Sequence, residues 1–356
     1  MTARVIPPIT GGSPTITEAM LTSATLPETP PAAYNAGTTY AAGATASVSA
    51  AGNAFDVYES LQAGNTGNTP ASSPLWWKLL GRTYGVYSGA TAYSADDRVI
   101  DPATHLEYLA LVGSTGAALT DETKWQLQGY TNRWRAFDTL RNTTASGPSG
   151  TTFVLTPGKR IDAIGLAGMV ADSFTLTLKV GGVTKWTYSE ALASRKTLTW
   201  SDYFFGTFTY RSVSAVFDIP KYSGAELTIT FERENGDIEV GAIWIGSAVY
   251  LGDLETEPNL DRRNFSTIDR STDGSVVLIQ RRTIPQQRWL CWLPKTHLPR
   301  ATGLVEQLNA VPALWAGLED TANEYFEPLL IVGIYTRFQI TPGHPDVRID
   351  LELEET

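Results

Sequence analysis

Apolar and polar side chains alternate one for one over residues 174–180, where Thr175, Thr177 and Lys179 separate Phe174, Leu176, Leu178 and Val180. A period of two turns one face of a strand inward and the other toward water. Gly181-Gly182 then divides Val180 from Val183, and two glycines between such runs predict a tight hairpin. The same β-branched and aromatic texture returns at 152–155, 161–166, 185–188, 212–219, 226–232 and 241–245. Several short strands at this spacing predict a jelly-roll-type β-sandwich over residues 131–252. Further on, the pattern predicts a strand pair over 268–281 around Asp273-Gly274 and a strand over 288–293. It predicts two more over 329–340 and 347–354, the latter with Ile349, Leu351 and Leu353 on one face. Leu304, Val305 and Leu308 stand three and four apart and predict a short amphipathic helix over 301–308, closed by Pro312. Residues 253–356 therefore read as a small α+β domain.

The first third of the chain is patterned differently. Residues 1–33 are rich in Pro, Thr, Ser and Ala, with Pro7-Pro8 and Pro30-Pro31. Proline runs stay extended and lack ladder donors, so this stretch reads as an extended arm with one helical turn near 18–21. Such an arm is expected to order against a neighbouring subunit. An internal repeat follows. Tyr34 and Tyr40 are six apart, as are Tyr87 and Tyr93; Trp77 and Gly81 are four apart, as are Trp125 and Gly129. Tyr58 and Tyr108 fall between, and each copy has a polar, glycine-containing loop before its tryptophan. Two modules of about fifty residues result, 34–81 and 82–130. A unit this small buries little surface and depends on a few aromatics for its core. The fold class expected is mainly β: two small β modules, a jelly-roll-type β-sandwich and a C-terminal small α+β domain.

Composition narrows the function. The 356 residues are 42% hydrophobic and 18% charged, which is the balance of a folded chain. A formal net charge of -10 argues against nucleic acid, whose phosphates need clustered Lys and Arg. Basic runs such as Arg262-Arg263 and Arg281-Arg282 are no longer than two residues. No apolar stretch reaches eighteen residues, so no membrane insertion is expected. The one cysteine, Cys291, excludes an intrachain disulfide and reads as a buried small hydrophobe.

Candidate chemistry is sparse. His105, His297 and His344 are scattered without metal-ligand spacing. Phosphate-binding and nucleophile-elbow motifs are missing. Asp96, Asp97, Glu232, Glu234, Asp237 and Glu239 are the acids weighed as a glycosidase pair; they read as solvated or turn-forming acids. No catalytic residue, metal or cofactor is expected. The aromatics offer a different chemistry, because indole and phenol faces stack on the apolar faces of sugars. Trp76 and Trp77 point to opposite sides of a strand. Trp77 aligns with Trp125 and reads as core, which leaves Trp76 as the exposed platform with Tyr40, Tyr58, Tyr93 and Tyr108 as companions.

The two repeats resemble chitin-binding-type carbohydrate-binding modules, whose pattern runs Tyr-x-x-Gly-x-x-Tyr, an aromatic strand, a loop and Trp-x-x-x-Gly. The first copy matches at Tyr34, Gly37, Tyr40, Tyr58, Trp77 and Gly81, and the second at Tyr87, Tyr93, Tyr108, Trp125 and Gly129, with Ala90 in place of the glycine. Three further texts resemble an uncharacterised group of phage and prophage tail proteins: Ile16-Thr-Glu-Ala-Met-Leu-Thr-Ser23 with Pro27-Glu28, the run 58–67, and Thr131-Asn-Arg-Trp-Arg-Ala-Phe-Asp138. The resemblance implies a non-enzymatic tail-tip or baseplate component of a virion, assembled in the bacterial cytoplasm. It implies other tail proteins and further copies of the chain as partners, with host surface glycan as a candidate contact. The alternative is a receptor-binding protein whose aromatic modules hold cell-surface polysaccharide.

Overall fold

A computed structural model describes residues 1–140, 142–194, 199–206, 209–255, 257–270, 272, 274–343 and 345–356. The chain is mainly β, as the alternation predicts, and among the described residues the two α-helices are Trp200–Phe205 and Leu298–Gln307.

Three β layers form the body. The middle one is a three-stranded sheet of Val213–Val216, Ala163–Ala167 and Ala242–Gly246, in that order. Every residue of its three strands is buried, because both faces are covered. Its side chains divide between two cores by strand alternation. Ile164, Leu166, Ile243 and Ile245 project to one side and join a core with Phe153, Phe174, Leu176 and Phe231. That core belongs to the second layer, a five-stranded sheet ordered Val183–Ala191, Ser173–Val180, Ala225–Glu232, Thr151–Leu155 and Leu21–Ala24. The two layers make the β-sandwich. The expected turn at Gly181-Gly182 joins its first two strands, with Val180 opposite Val183 and both glycines at positive φ.

Alanines and Gly165, with Val213 and Trp244, occupy the other side of the middle sheet. Ala163, Ala167, Ala215 and Ala242 join a second core with Ile6, Leu314 and Val332. A Cβ at Gly165 would overlap the Leu314 side chain, which is fully buried. The third layer sits on this side. It is ordered Val249–Leu254, Thr2–Ile6, Ala313–Ala316, Leu330–Thr341, Asp346–Glu355 and Thr283–Pro294. Asp253 and Leu254 pair back with Trp292 and Cys291, so these six strands close into a barrel. Gly252 permits the closure, since a Cβ there would lie 2.5 Å from the Trp292 carbonyl oxygen. Trp289, Cys291, Leu293, Ile349 and Leu351 alternate inward. Burial pushes the Cys291 thiol up to about 12, with Asp253 adding to the effect. Leu298–Gln307 packs Ala301 and Leu304 into the same core, the helix expected from its spacing.

Two expectations are corrected here. The N-terminal segment is no arm awaiting a neighbour. Thr2–Ile6 is an interior barrel strand with Ala3, Val5 and Ile6 fully buried, and Leu21–Ala24 is an edge strand of the sandwich. Its prolines lie outside these strands, where no ladder donor is needed. The C-terminal region is also no separate α+β unit. Val249–Leu254 crosses the expected boundary at 252, and the barrel takes one strand from the opposite end of the chain. Of the expected turn at Asp273-Gly274, Asp273 lies outside the described residues, as does His344.

Close packing at Gly165 gives a direct test. Gly165→Val would wedge side-chain volume between two buried layers. It should cost roughly 1–3 kcal/mol, read as a lower denaturant midpoint with unchanged slope.

Candidate functional site

The two modules share one six-stranded sheet. Thr45–Ala50, Ala54–Ser60 and Trp77–Val86 come from the first copy, and Arg98–Asp101, Leu106–Ala110 and Trp125–Tyr130 from the second. They join where Gly85 and Val86 pair in parallel with Val99 and Ile100. Each copy is held by a triad of rings. Tyr34 stacks on Tyr40 at 5.9 Å and 17°, and Trp77 meets them edge-on at 5.9 and 4.9 Å. Tyr87 stacks on Tyr93 at 6.0 Å and 17°, and Trp125 meets them at 5.8 and 5.2 Å. The polar handles repeat as well. Trp77 Nε1 donates to the Asn68 carbonyl at 2.8 Å, and Trp125 Nε1 to that of Ala117 at 3.2 Å. The Tyr40 and Tyr93 hydroxyls each accept a backbone N–H at 2.8 Å, from Asn35 and Ser88. The repeated glycine has a backbone cause: Gly81 and Gly129 sit at β-bulges with φ of +146° and +109°.

These contacts place the predicted sugar-contacting residues. Trp77 and Trp125 are 3% and 2% exposed, and Tyr93 is buried, so their faces are spent on the module cores. Tyr40 is half-buried within its triad. Tyr58 and Tyr108 are half-buried at matching register positions, opposite Leu79 and Leu127. Burial raises both phenol pKa values, helped by Asp56 and Asp101 respectively. Trp76 is half-buried, and its backbone carbonyl accepts the Leu61 N–H at 2.9 Å. In the second copy Lys124 makes the equivalent bond, to Leu111. Trp76 therefore has no aromatic counterpart, and Tyr40 and Tyr93 turn into their own modules rather than around it.

Two of the quoted texts, Pro27-Glu28 and 131–138, meet in one place. Glu28 accepts from His105 Nδ1 at 2.8 Å and Thr131 Oγ1 at 3.3 Å on one oxygen, and from Trp134 Nε1 at 3.1 Å on the other. His105 stacks on Trp134 with ring centres 3.8 Å apart. The Glu28 carbonyl accepts from Thr83 of the first module. The run 131–138 serves both sides of this junction. Asn132 exchanges two hydrogen bonds with the Ser146 backbone, and Arg135 reaches Glu107. Phe137 is fully buried in the sandwich core. Asp138 ends the run, accepting from the Leu140 N–H at 2.9 Å and from Thr143 Oγ1. Burial pushes its carboxyl up to about 6 against these hydrogen bonds.

A cleft of about 460 Å³ opens between the module sheet and the sandwich. Its charges are paired. Arg82 binds Asp56 through two nitrogens at 2.8 and 3.1 Å. Glu107, 2% exposed, takes Arg98 at 2.6 Å and Arg135 at 3.3 Å. Asp237 lines the same cleft, and Glu239 lies two residues on, on the far side of buried Ile238. The other acids weighed for hydrolysis have local duties. Asp97 accepts the Ser94 N–H, and Glu232 accepts from Ser149. Glu234 has its N–H bound to Asp172, and Asp96 holds a positive-φ turn.

Aromatic side chains that do face water lie elsewhere. In the helix Trp200–Phe205, Trp200 is 79% and Phe205 84% exposed, with Tyr203 and Phe204 beside them. Trp200 and Phe204 stack at 6.3 Å and 22°. Four rings in six residues, opened by the Thr199–Asp202 capping box, are readable in the sequence. Rings on every side of a helix cannot all enter a core, and that signal was missed.

Two measurements follow. Glu28→Ala leaves three buried or part-buried donors without an acceptor and should cost roughly 3 kcal/mol, with the module repeat and sandwich losing cooperativity together in thermal unfolding. Asp138 has a folded-state pKa above its unfolded value. Its contribution is therefore full below about pH 4 and is lost as pH rises through about 6, by up to roughly 3 kcal/mol. Asp138→Asn should flatten the stability profile over that window, measured by denaturant unfolding at each pH. No protein-family model, curated protein or solved structure matches the chain.

Proposed function

We propose that the chain is an architectural subunit of a bacteriophage tail, at the tip or baseplate, working by surface contact without bond-breaking chemistry. One observation carries this reading. Residues 259–282 leave the barrel as a two-stranded ribbon, built from Asn259–Asn264, Thr267–Arg270 and Val276–Ile279 with the start of Thr283–Pro294. Val276–Ile279 are all apolar and all exposed. A two-stranded ribbon is marginal in water by itself, and apolar strands left open are surfaces for pairing. The tail-protein resemblance of residues 12–250 supports the same reading, with the module repeat as a rigid spacer. The expected setting is the virion, beside other tail proteins.

A second reading, contact with host surface glycan, is favoured by the open rings of Trp200–Phe205, which present stacking faces that the module triads do not.

The two readings separate by experiment. Mass spectrometry of purified tails from a phage encoding this chain should find it in fixed stoichiometry; tails that lack it would discard the first reading. On a glycan array, Trp200→Ala should abolish binding while the circular dichroism spectrum stays the same. Binding that survives the substitution removes the second reading.

A further inference from the structure

We infer that the ribbon of residues 259–282 docks on a second copy of this chain. The inference deepens the architectural reading by naming the partner of its exposed surface.

Geometry defines the docking face. In the pairing of Thr267–Arg270 with Val276–Ile279, Ile268 lies opposite Leu278 and Arg270 opposite Val276. Directly opposed residues share a face, and alternate positions repeat it. Ile268, Leu278, Val276 and Arg270 therefore form one surface, with Ile268 59%, Leu278 71% and Val276 50% exposed. An apolar centre bordered by a guanidinium is the make-up of a protein–protein interface core.

Charge selects the partner. Residues 259–282 hold five arginines (262, 263, 270, 281 and 282) against Asp261, Asp269 and Asp273. The ribbon is thus +2 in a chain of net charge -10, and the remainder carries -12. A copy of the chain offers the ribbon an acidic body and keeps like charges of two bodies apart except where an arginine-bearing ribbon bridges them. Complementary potentials of this kind steer association and fix register. The two Arg-Arg pairs of the sequence, Arg262-Arg263 and Arg281-Arg282, both lie at the base of the ribbon, where Arg282 already pairs with Glu355 at 2.8 Å. Nucleic acid is the other partner such arginines could attract, and it gives the test its second arm.

Light scattering on the purified full chain decides the matter. The wild type should run at a multiple of 38.6 kDa, with association weakening as salt rises. Ile268→Asp with Leu278→Asp should raise the dissociation constant roughly tenfold or more and leave the thermal midpoint of the body unchanged, because both side chains are exposed. Arg262→Glu with Arg263→Glu should weaken association at low salt and remove its salt dependence. A crosslinker on Leu278→Cys should give an intermolecular adduct; native Cys291 is buried and does not compete. A wild type that stays monomeric to its solubility limit, ribbon variants that associate like wild type, or association that appears only with added oligonucleotide would overturn the inference. Self-association is measured without particles, so its failure leaves the tail assignment standing, and absence of the chain from tails leaves self-association standing.

Discussion

A sheet covered on both faces governs this structure. The middle strands have no side that meets water, so each must satisfy two cores at once. Strand alternation does the sorting: Ile164, Leu166, Ile243 and Ile245 go toward the sandwich, and the alanines, Gly165, Val213 and Trp244 toward the barrel. Small residues let the barrel wall approach closely enough for Leu314 to fill the space over Gly165. A methyl group added at that contact is felt by both neighbours, since interiors are packed like crystals. Sandwich and barrel are thereby one cooperative body, and the text that looks like a boundary near residue 252 runs through the middle of it.

The segment around Glu28 extends that body to the repeat modules. A single carboxylate gathers donors from the second module and from the run that enters the sandwich, while its backbone carbonyl takes a donor from the first. Burying such a group is favourable only when its acceptor capacity is used. Glu28 meets that condition, with three donors on two oxygens. Glu28 and the run 131–138 are the residues of this junction, and they specify geometry between units.

Local patterns carried the strands, the two-glycine hairpin, the helix at Leu298–Gln307 and the repeat, because period and turn chemistry act over a few residues. The barrel was not legible for the opposite reason. Thr2–Ile6 offers only five residues of pattern ahead of two prolines, and its partners lie more than 240 positions away. Which way the repeated rings face is a question that spacing cannot answer. Tyr40, Tyr93, Trp77 and Trp125 recur because they pack together, and the spacing of a repeat is blind to whether its rings face each other or water. Trp200 and Phe205 were overlooked since an unrepeated cluster gives no periodic signal.

The seam between the modules has a mechanical meaning. Gly85 with Val99 and Val86 with Ile100 are the ladder pairs that splice the two half-sheets, and their strands run in the same direction. Arg98 adds bonds to Gly52 and Asn53 beside them. Force along those strands loads the paired bonds together, whereas force across the sheet opens them in turn. With fewer ladder pairs than any other neighbours in the six-stranded sheet, the seam is where the two half-sheets part most easily.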